Sequence, residues 1–146
     1  MDQTYRNCGT SALWVTAGYS KGNSRYAYIG YCAYVQPGQQ VTWNFASTAP
    51  NSSYSTMICE QQVLEDGPGD SDCWTTPVPG SPQGGEMYLF YKNCSGHSSN
   101  VIPGYYKGNT YHAYVNNGWA VPDQSAIWWH FPSTVQNAQY ETMFAL

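Results

Sequence analysis

From Tyr26 to Val35 the chain alternates. Ala27, Ile29, Ala33 and Val35 fall on one face of an extended segment, and Tyr26, Tyr28, Cys32 and Tyr34 fall on the other. A second alternating run, 41–45, turns Val41, Trp43 and Phe45 inward and Thr42 and Asn44 outward. Turns separate these runs. Lys21-Gly22-Asn23 supplies residues that tolerate positive φ, and Gln36-Pro37-Gly38 combines a preset φ with a free return. The apolar run 11–19 leads into the first turn, and Tyr54–Glu60 reads as a closing strand. No window carries sustained helical periodicity, so the chain reads as all-β.

The whole pattern occurs twice. Residues 5–60 align on 91–146 without a gap, at an offset of 86, with 20 identities in 56 positions. Chance would give roughly 4 or 5 at this composition, so the halves are an internal duplication. In the second copy the apolar face carries Ala113, Val115, Trp119 and Val121, and the inward run is Ile127, Trp129 and Phe131. With four strands per unit, the expectation is one eight-strand sandwich or barrel. It would be a single domain, 1–146, with tandem units 5–60 and 91–146 related by a pseudo-twofold. A unit of that size alone buries too little surface to be stable by itself. Between the units, 61–86 holds four Pro, five Gly and five of the nine acidic residues. It reads as a surface connection unable to join a strand ladder, or as a binding lid carrying Trp74.

Composition narrows the function. The chain has five Lys and Arg, a net charge of −4 and only 10% charged residues. No basic stripe exists for counterion release, so nucleic acid is not an expected partner. No apolar run approaches the ~20 residues of a membrane span, and the sequence as given opens without a signal peptide. Five Cys without a CxxC pair point to disulfides and an extracellular protein. Cys32 and Cys59 face Gly118 and Ala145 in the second copy, so both thiols are missing together, as a Cys32–Cys59 bridge would require. Cys8 and Cys94 are equivalent under the duplication and could bond across its axis. Cys73 is then left over for pairing between copies in a homo-oligomer. The other pairing, Cys73 with Cys8 or Cys94, stays open. Asn51-Ser52-Ser53 and Asn93-Cys94-Ser95 match the glycosylation sequon.

Candidate binding residues follow from what alternation leaves outside. Tyr28 and Tyr114 are kept in both copies, opposite the apolar face. Tyr19, Lys21 and Asn23, with Tyr105, Lys107 and Asn109, cluster at the adjacent turn. Trp128 and His130 add to the outward face of the second copy. A phenol or indole beside amide and ammonium donors suits the apolar face and hydroxyls of a sugar ring. A plain hairpin with cross-strand tyrosine pairs competes with that reading. His112 and His130 with Asp123 could ligate a metal, but no HxH or HExxH spacing supports it, and no cofactor is expected. Paired carboxylates for glycoside hydrolysis are lacking: no acid in one unit is matched by an acid in the other. No GxSxG context surrounds any Ser. The expectation is a secreted, non-catalytic protein that binds a glycan or cell-surface polysaccharide. A self-assembling extracellular surface protein and a membrane-active β-sandwich toxin are the alternatives.

Overall fold

The computed structural model describes residues 1–70, 72–73, 78–79 (backbone only) and 84–146. Trp74, and with it the lid reading of the connection, lies outside the described residues. The first half contributes β1 (Asp2–Arg6), β2 (Leu13–Lys21), β3 (Ser24–Ala27), β4 (Ala33–Val35), β5 (Gln40–Asn44) and β6 (Ser53–Glu60). The connection holds β7 (Glu65–Gly69) and β8 (Val78–Pro79). The second half contributes β9 (Met87–Lys92), β10 (Ser99–Lys107), β11 (Thr110–Tyr114), β12 (Trp119–Val121), β13 (Ala126–Phe131) and β14 (Gln139–Ala145).

Six strands close a barrel in the order β10-β11-β6-β2-β3-β14, with β14 returning to β10. The hairpins β2–β3 and β10–β11 are antiparallel, with Gly18 opposite Ala27 and Gly104 opposite Ala113. The ring is completed by two parallel joints between the halves, Ala113 opposite Cys59 and Ala145 opposite Ala27. Two further sheets lie outside the barrel: β1–β5, and β7-β13-β9. The result is all-β as expected, but it is not an eight-strand structure. The segment 25–35 is not one strand, because a 3-10 turn at Ile29–Tyr31 divides β3 from β4. Residues 2–6 and 87–92, ahead of the main pattern in each half, form strands β1 and β9.

The connection also departs from expectation. Glu65–Gly69 does join a ladder, pairing antiparallel with β13. A Pro is tolerated there because β7 is an edge strand, where the missing N–H of Pro68 need not serve a second neighbour.

Packing follows the layers. Inside the barrel Met57, Met143, Ala27, Ala113 and Ile102 form one buried cluster. Gly18 and Gly104 are required there, since a Cβ would come 2.6 Å from the Tyr26 carbonyl oxygen or 2.5 Å from that of His112, as well as 2.6 Å from the Met57 or Met143 methyl. Under β1–β5 lie Val15, Ala17, Val35, Trp43 and Phe45. Under the three-stranded sheet lie Leu89, Val101, Tyr105, Tyr114, Ile127, Trp129, Phe131 and Tyr140 among others. Trp43, Phe45, Trp129 and Phe131 are therefore inward, as alternation predicts. Their indole N–H groups are satisfied alike: Trp43 donates to the Tyr31 carbonyl at 3.0 Å and Trp129 to the Asn117 carbonyl at 3.2 Å.

Two asparagines lock the corners. Asn7 Nδ2 donates to the Ser11 and Val35 carbonyls at 2.8 and 2.9 Å, and its Oδ1 accepts from Gly9 N–H. Asn93 does the same to His97 and Val121 at 2.7 and 2.8 Å, with Ser95 N–H on its Oδ1. Both are buried, which closes the Asn93 sequon to a glycan. Cys32 is bonded to Cys59, as the paired absence in the second copy predicts. Cys73 is bonded to Cys94, which corrects both the Cys8–Cys94 pairing and the idea of Cys73 joining two copies. Cys8 carries the free thiol and is exposed. Among the described residues, no helix is long and apolar enough to cross a membrane.

Candidate functional site

The repeated tyrosines are not on an open face. Both sides of the hairpins are covered, one by the barrel interior and the other by an outer sheet. Tyr19, Tyr105 and Tyr114 are buried, and Tyr28 is half-buried against Phe45 and Tyr54. The rings of Tyr105, Tyr114, Phe131 and Tyr140 touch one another, with centroids 4.8–6.1 Å apart. Burial first, then neighbouring phenols, pushes Tyr28 up to about 12 and raises Tyr114 further, so both stay neutral. Alternation alone could not reveal this, because a strand with two covered faces still alternates. Lys21, Asn23, Lys107 and Asn109 are exposed at hairpin tips, where Gly22 and Gly108 take φ of 59° and 62°. The two halves of the proposed constellation, ring and turn, are thus separated by burial.

The histidines go to different places. His112 stacks on Tyr105 at 4.2 Å, and its Nδ1 lies 2.8 Å from Glu60 Oε1, which also accepts from the Tyr105 hydroxyl at 3.2 Å. The His112 hydrogen bond outweighs burial and holds the Glu60 carboxyl below its usual range. His130 lies 2.7 Å from Glu86. Asp123 accepts from Gly96 N–H at 2.9 Å. The three residues named as metal ligands therefore have separate partners. Among the described residues no group of three or more His, Cys, Asp or Glu could hold a metal ion.

Among the described residues exposed aromatic rings gather in two places: Trp14 and Tyr34, with Tyr31, in the first half, and Tyr88 and Phe90 on the outer face of β13 and β9, where the half-buried Trp128 and His130 join them. Register places Trp128 opposite Phe90 on one side and Gly67 on the other. One step along, His130 lies between Tyr88 and Glu65. Tyr88 and Phe90 are exposed, at 47% and 40%. Tyr88 sits at the centre: 4.6 Å from the His130 ring, 5.5 Å edge-on to Trp128 and 6.2 Å from Phe90. The third strand of this sheet is what lets the indole lie down. A Cβ on Gly67 would fall 2.6 Å from Trp128 Cζ2 and 2.8 Å from Cε2, and one on Gly69 would fall 3.3 Å from Cδ1. Glycines at both positions leave the floor that the ring covers. Glu86 orients the His130 imidazole, and Glu65 and Asp66 line the β7 edge.

Trp128 and His130 were legible from alternation. Tyr88, Phe90 and Glu86 were missed because the aligned repeat begins at Tyr91. The signal was available: Met87–Lys92 reads MYLFYK, in which Leu89 and Tyr91 are buried while Tyr88 and Phe90 face out. The sheet β1–β5 has nothing comparable. Its corresponding register pairs Thr4 with Thr42, bonded through their hydroxyls at 2.9 Å, and Asp2 with Asn44. The arrangement can stack a flat apolar face on the near-parallel Tyr88 and Phe90 rings or on Trp128, with His130 and the tyrosine hydroxyl as hydrogen-bonding partners and Glu86 as an acceptor. No family model, curated protein or solved structure matches the chain.

Proposed function

We propose that this is a secreted, non-catalytic carbohydrate-binding protein whose ligand lies across Tyr88, Phe90, Trp128 and His130. The observation that carries the reading is the grouping of exposed Tyr88 and Phe90 with the half-buried Trp128, which lies over Gly67 and Gly69. Sugar rings present C–H faces to aromatic rings and hydroxyls to polar neighbours, which is the mixture found here. The acidic rim of Glu65 and Glu86 disfavours sulfated or carboxylated glycans, so the ligand is a neutral saccharide. Two disulfides are compatible with an oxidising, extracellular setting.

The scaffold reading belongs with this proposal. Units 5–60 and 91–146 are related by a pseudo-twofold axis through the barrel, and only the second unit carries the binding surface. Support comes from registers that recur 86 residues on: Val15 opposite Ile58 and Val101 opposite Phe144, with parallel joints 59/113 and 27/145.

A glycan array followed by calorimetry tests the function. A neutral oligosaccharide or polysaccharide should bind, and Trp128→Ala and Tyr88→Ala should each weaken it by about 1–2 kcal/mol while still unfolding cooperatively. Binding unchanged in both variants, or confined to charged glycans, rejects the reading. If instead the parent binds lipid vesicles and Trp128→Ala abolishes that, the exposed rings serve a membrane and the toxin alternative replaces the lectin.

A further inference from the structure

The two halves diverge at one end of the barrel. In the first half, the Cys32–Cys59 disulfide and the facing pair Trp14 and Tyr34, with ring centroids 5.2 Å apart, cover that end. At the positions 86 residues on stand Gly118, Ala145, Asn100 and Ala120. These four positions lose bulk while Trp119 stands where the first half has Ala33, and Asn100 still pairs with Ala120 in the same register. Between them lies an open-mouthed cavity of about 330 Å³, bounded also by Ile29, Trp119 and Leu146.

Its chemistry is restrictive. No charged side chain lines it, and the Asn100 amide and the Trp119 indole N–H are its only polar side-chain groups. An apolar guest seated there gains contact with Ile29, Trp119, Ala145 and Leu146. At the ~30 Å³ that one water occupies in the liquid, the volume accommodates roughly ten heavy atoms. We propose that this cavity binds a small, uncharged, mainly apolar molecule of about bicyclic size with a single hydrogen-bonding group. The site shares no residue with the aromatic surface of β13 and β9, so it stands or falls separately from carbohydrate binding.

Indole is a suitable probe, titrated into the isotopically labelled protein while amide resonances are followed. Saturable shifts should be confined to the neighbourhood of Ile29, Asn100, Gly118, Ala120 and Ala145, with a dissociation constant on the order of 0.1–1 mM for so small a ligand. Two variants restore the filling of the first half. Asn100→Trp with Ala120→Tyr caps the cavity, and Gly118→Cys with Ala145→Cys installs a counterpart of the Cys32–Cys59 disulfide. Gly118 has room for the change, its nearest neighbour being Ile102 Cγ2 at 3.8 Å. Each should weaken indole at least roughly tenfold, whereas Trp128→Ala should leave it unchanged. Absence of saturable shifts, shifts centred on Trp128 and Tyr88, or undiminished binding in a natively folded filled variant each overturns the proposal. Should one filled variant fail to fold, the shift map of the parent and the other variant decide.

Discussion

Gly67→Ala tests the binding surface without touching a residue that meets the ligand. The new methyl carbon would sit 2.6 Å from Trp128 Cζ2 and 2.8 Å from Cε2, inside any normal carbon contact. The obstructing atoms belong to a rigid bicyclic ring, so no terminal rotation relieves the clash. Either β7 peels from β13 or the indole lifts off its floor. β7 is an edge strand, and overpacking costs about 1–3 kcal/mol, so the barrel should still unfold cooperatively at a lower temperature. Lifting the ring should change the near-ultraviolet circular dichroism and make one tryptophan more accessible to acrylamide. The loss of glycan affinity should approach that of Trp128→Ala, about 1–2 kcal/mol or roughly 5–30-fold. Gly69→Ala, whose Cβ would come only to 3.3 Å, should give a weaker version of every effect. A Gly67→Ala protein with the parent's spectrum, quenching and affinity would refute the claim that glycines in the connection set the pose of Trp128.

Asn93→Ala and Asn7→Ala should each destabilise by about 2–3 kcal/mol in thermal or urea unfolding, since each strands two carbonyls near a buried corner. Alkylation of the denatured, unreduced protein should label one thiol, Cys8, and peptide mapping should recover the 32–59 and 73–94 pairs; replacing Cys32 and Cys59 by Ala should cost about 2–4 kcal/mol. Glu60 and Glu141 should respond to acid with opposite signs. The Glu60 pKa is lowered, chiefly by His112, so its contribution is present above the ordinary value of 4.5 and is lost as pH falls through the lowered one. Glu60→Gln should therefore flatten the acid limb of stability. The Glu141 pKa is raised because burial outweighs Arg25, so the folded state favours its protonated form below 4.5 and loses that advantage as pH rises. Glu141→Gln should stabilise the protein at neutral pH relative to the parent, with the difference vanishing in acid.

Much of the fold was legible because period-two alternation and turn chemistry act locally. Trp43, Phe45, Trp129 and Phe131 could be placed inward, and the Gly22 and Gly108 turns are where the sequence puts them. What alternation cannot report is how many faces are covered. Tyr28 and Tyr114 sit opposite the apolar positions, yet an outer sheet lies over them, so a polar-looking face became a second core. Nor could composition show that Glu65–Gly69 pairs with β13, because the stabilising partner is a tryptophan over sixty residues away that needs glycine beneath it. The free cysteine was misassigned for a related reason. Equivalence of Cys8 and Cys94 in sequence says nothing of their separation, and the connection brings Cys73 to Cys94 instead.

The repeat therefore has to be used in two opposite ways. Several residues identical in both halves hold the local structure around them. Asn7 and Asn93 hold corners, Gly18 and Gly104 admit Met57 and Met143, and Asn51 and Asn137 take φ of 55° and 60° in matching loops. Identity was a natural guide to binding residues, and it led to buried tyrosines. Positions where the halves differ are free of that shared constraint. There the second half exchanges Thr42 and Asn44 for Trp128 and His130, and Cys32, Cys59, Trp14 and Tyr34 for Gly118, Ala145, Asn100 and Ala120. The first set of exchanges builds a surface and the second opens a cavity. The aromatic surface and the cavity both rest on positions where the two halves of the sequence disagree.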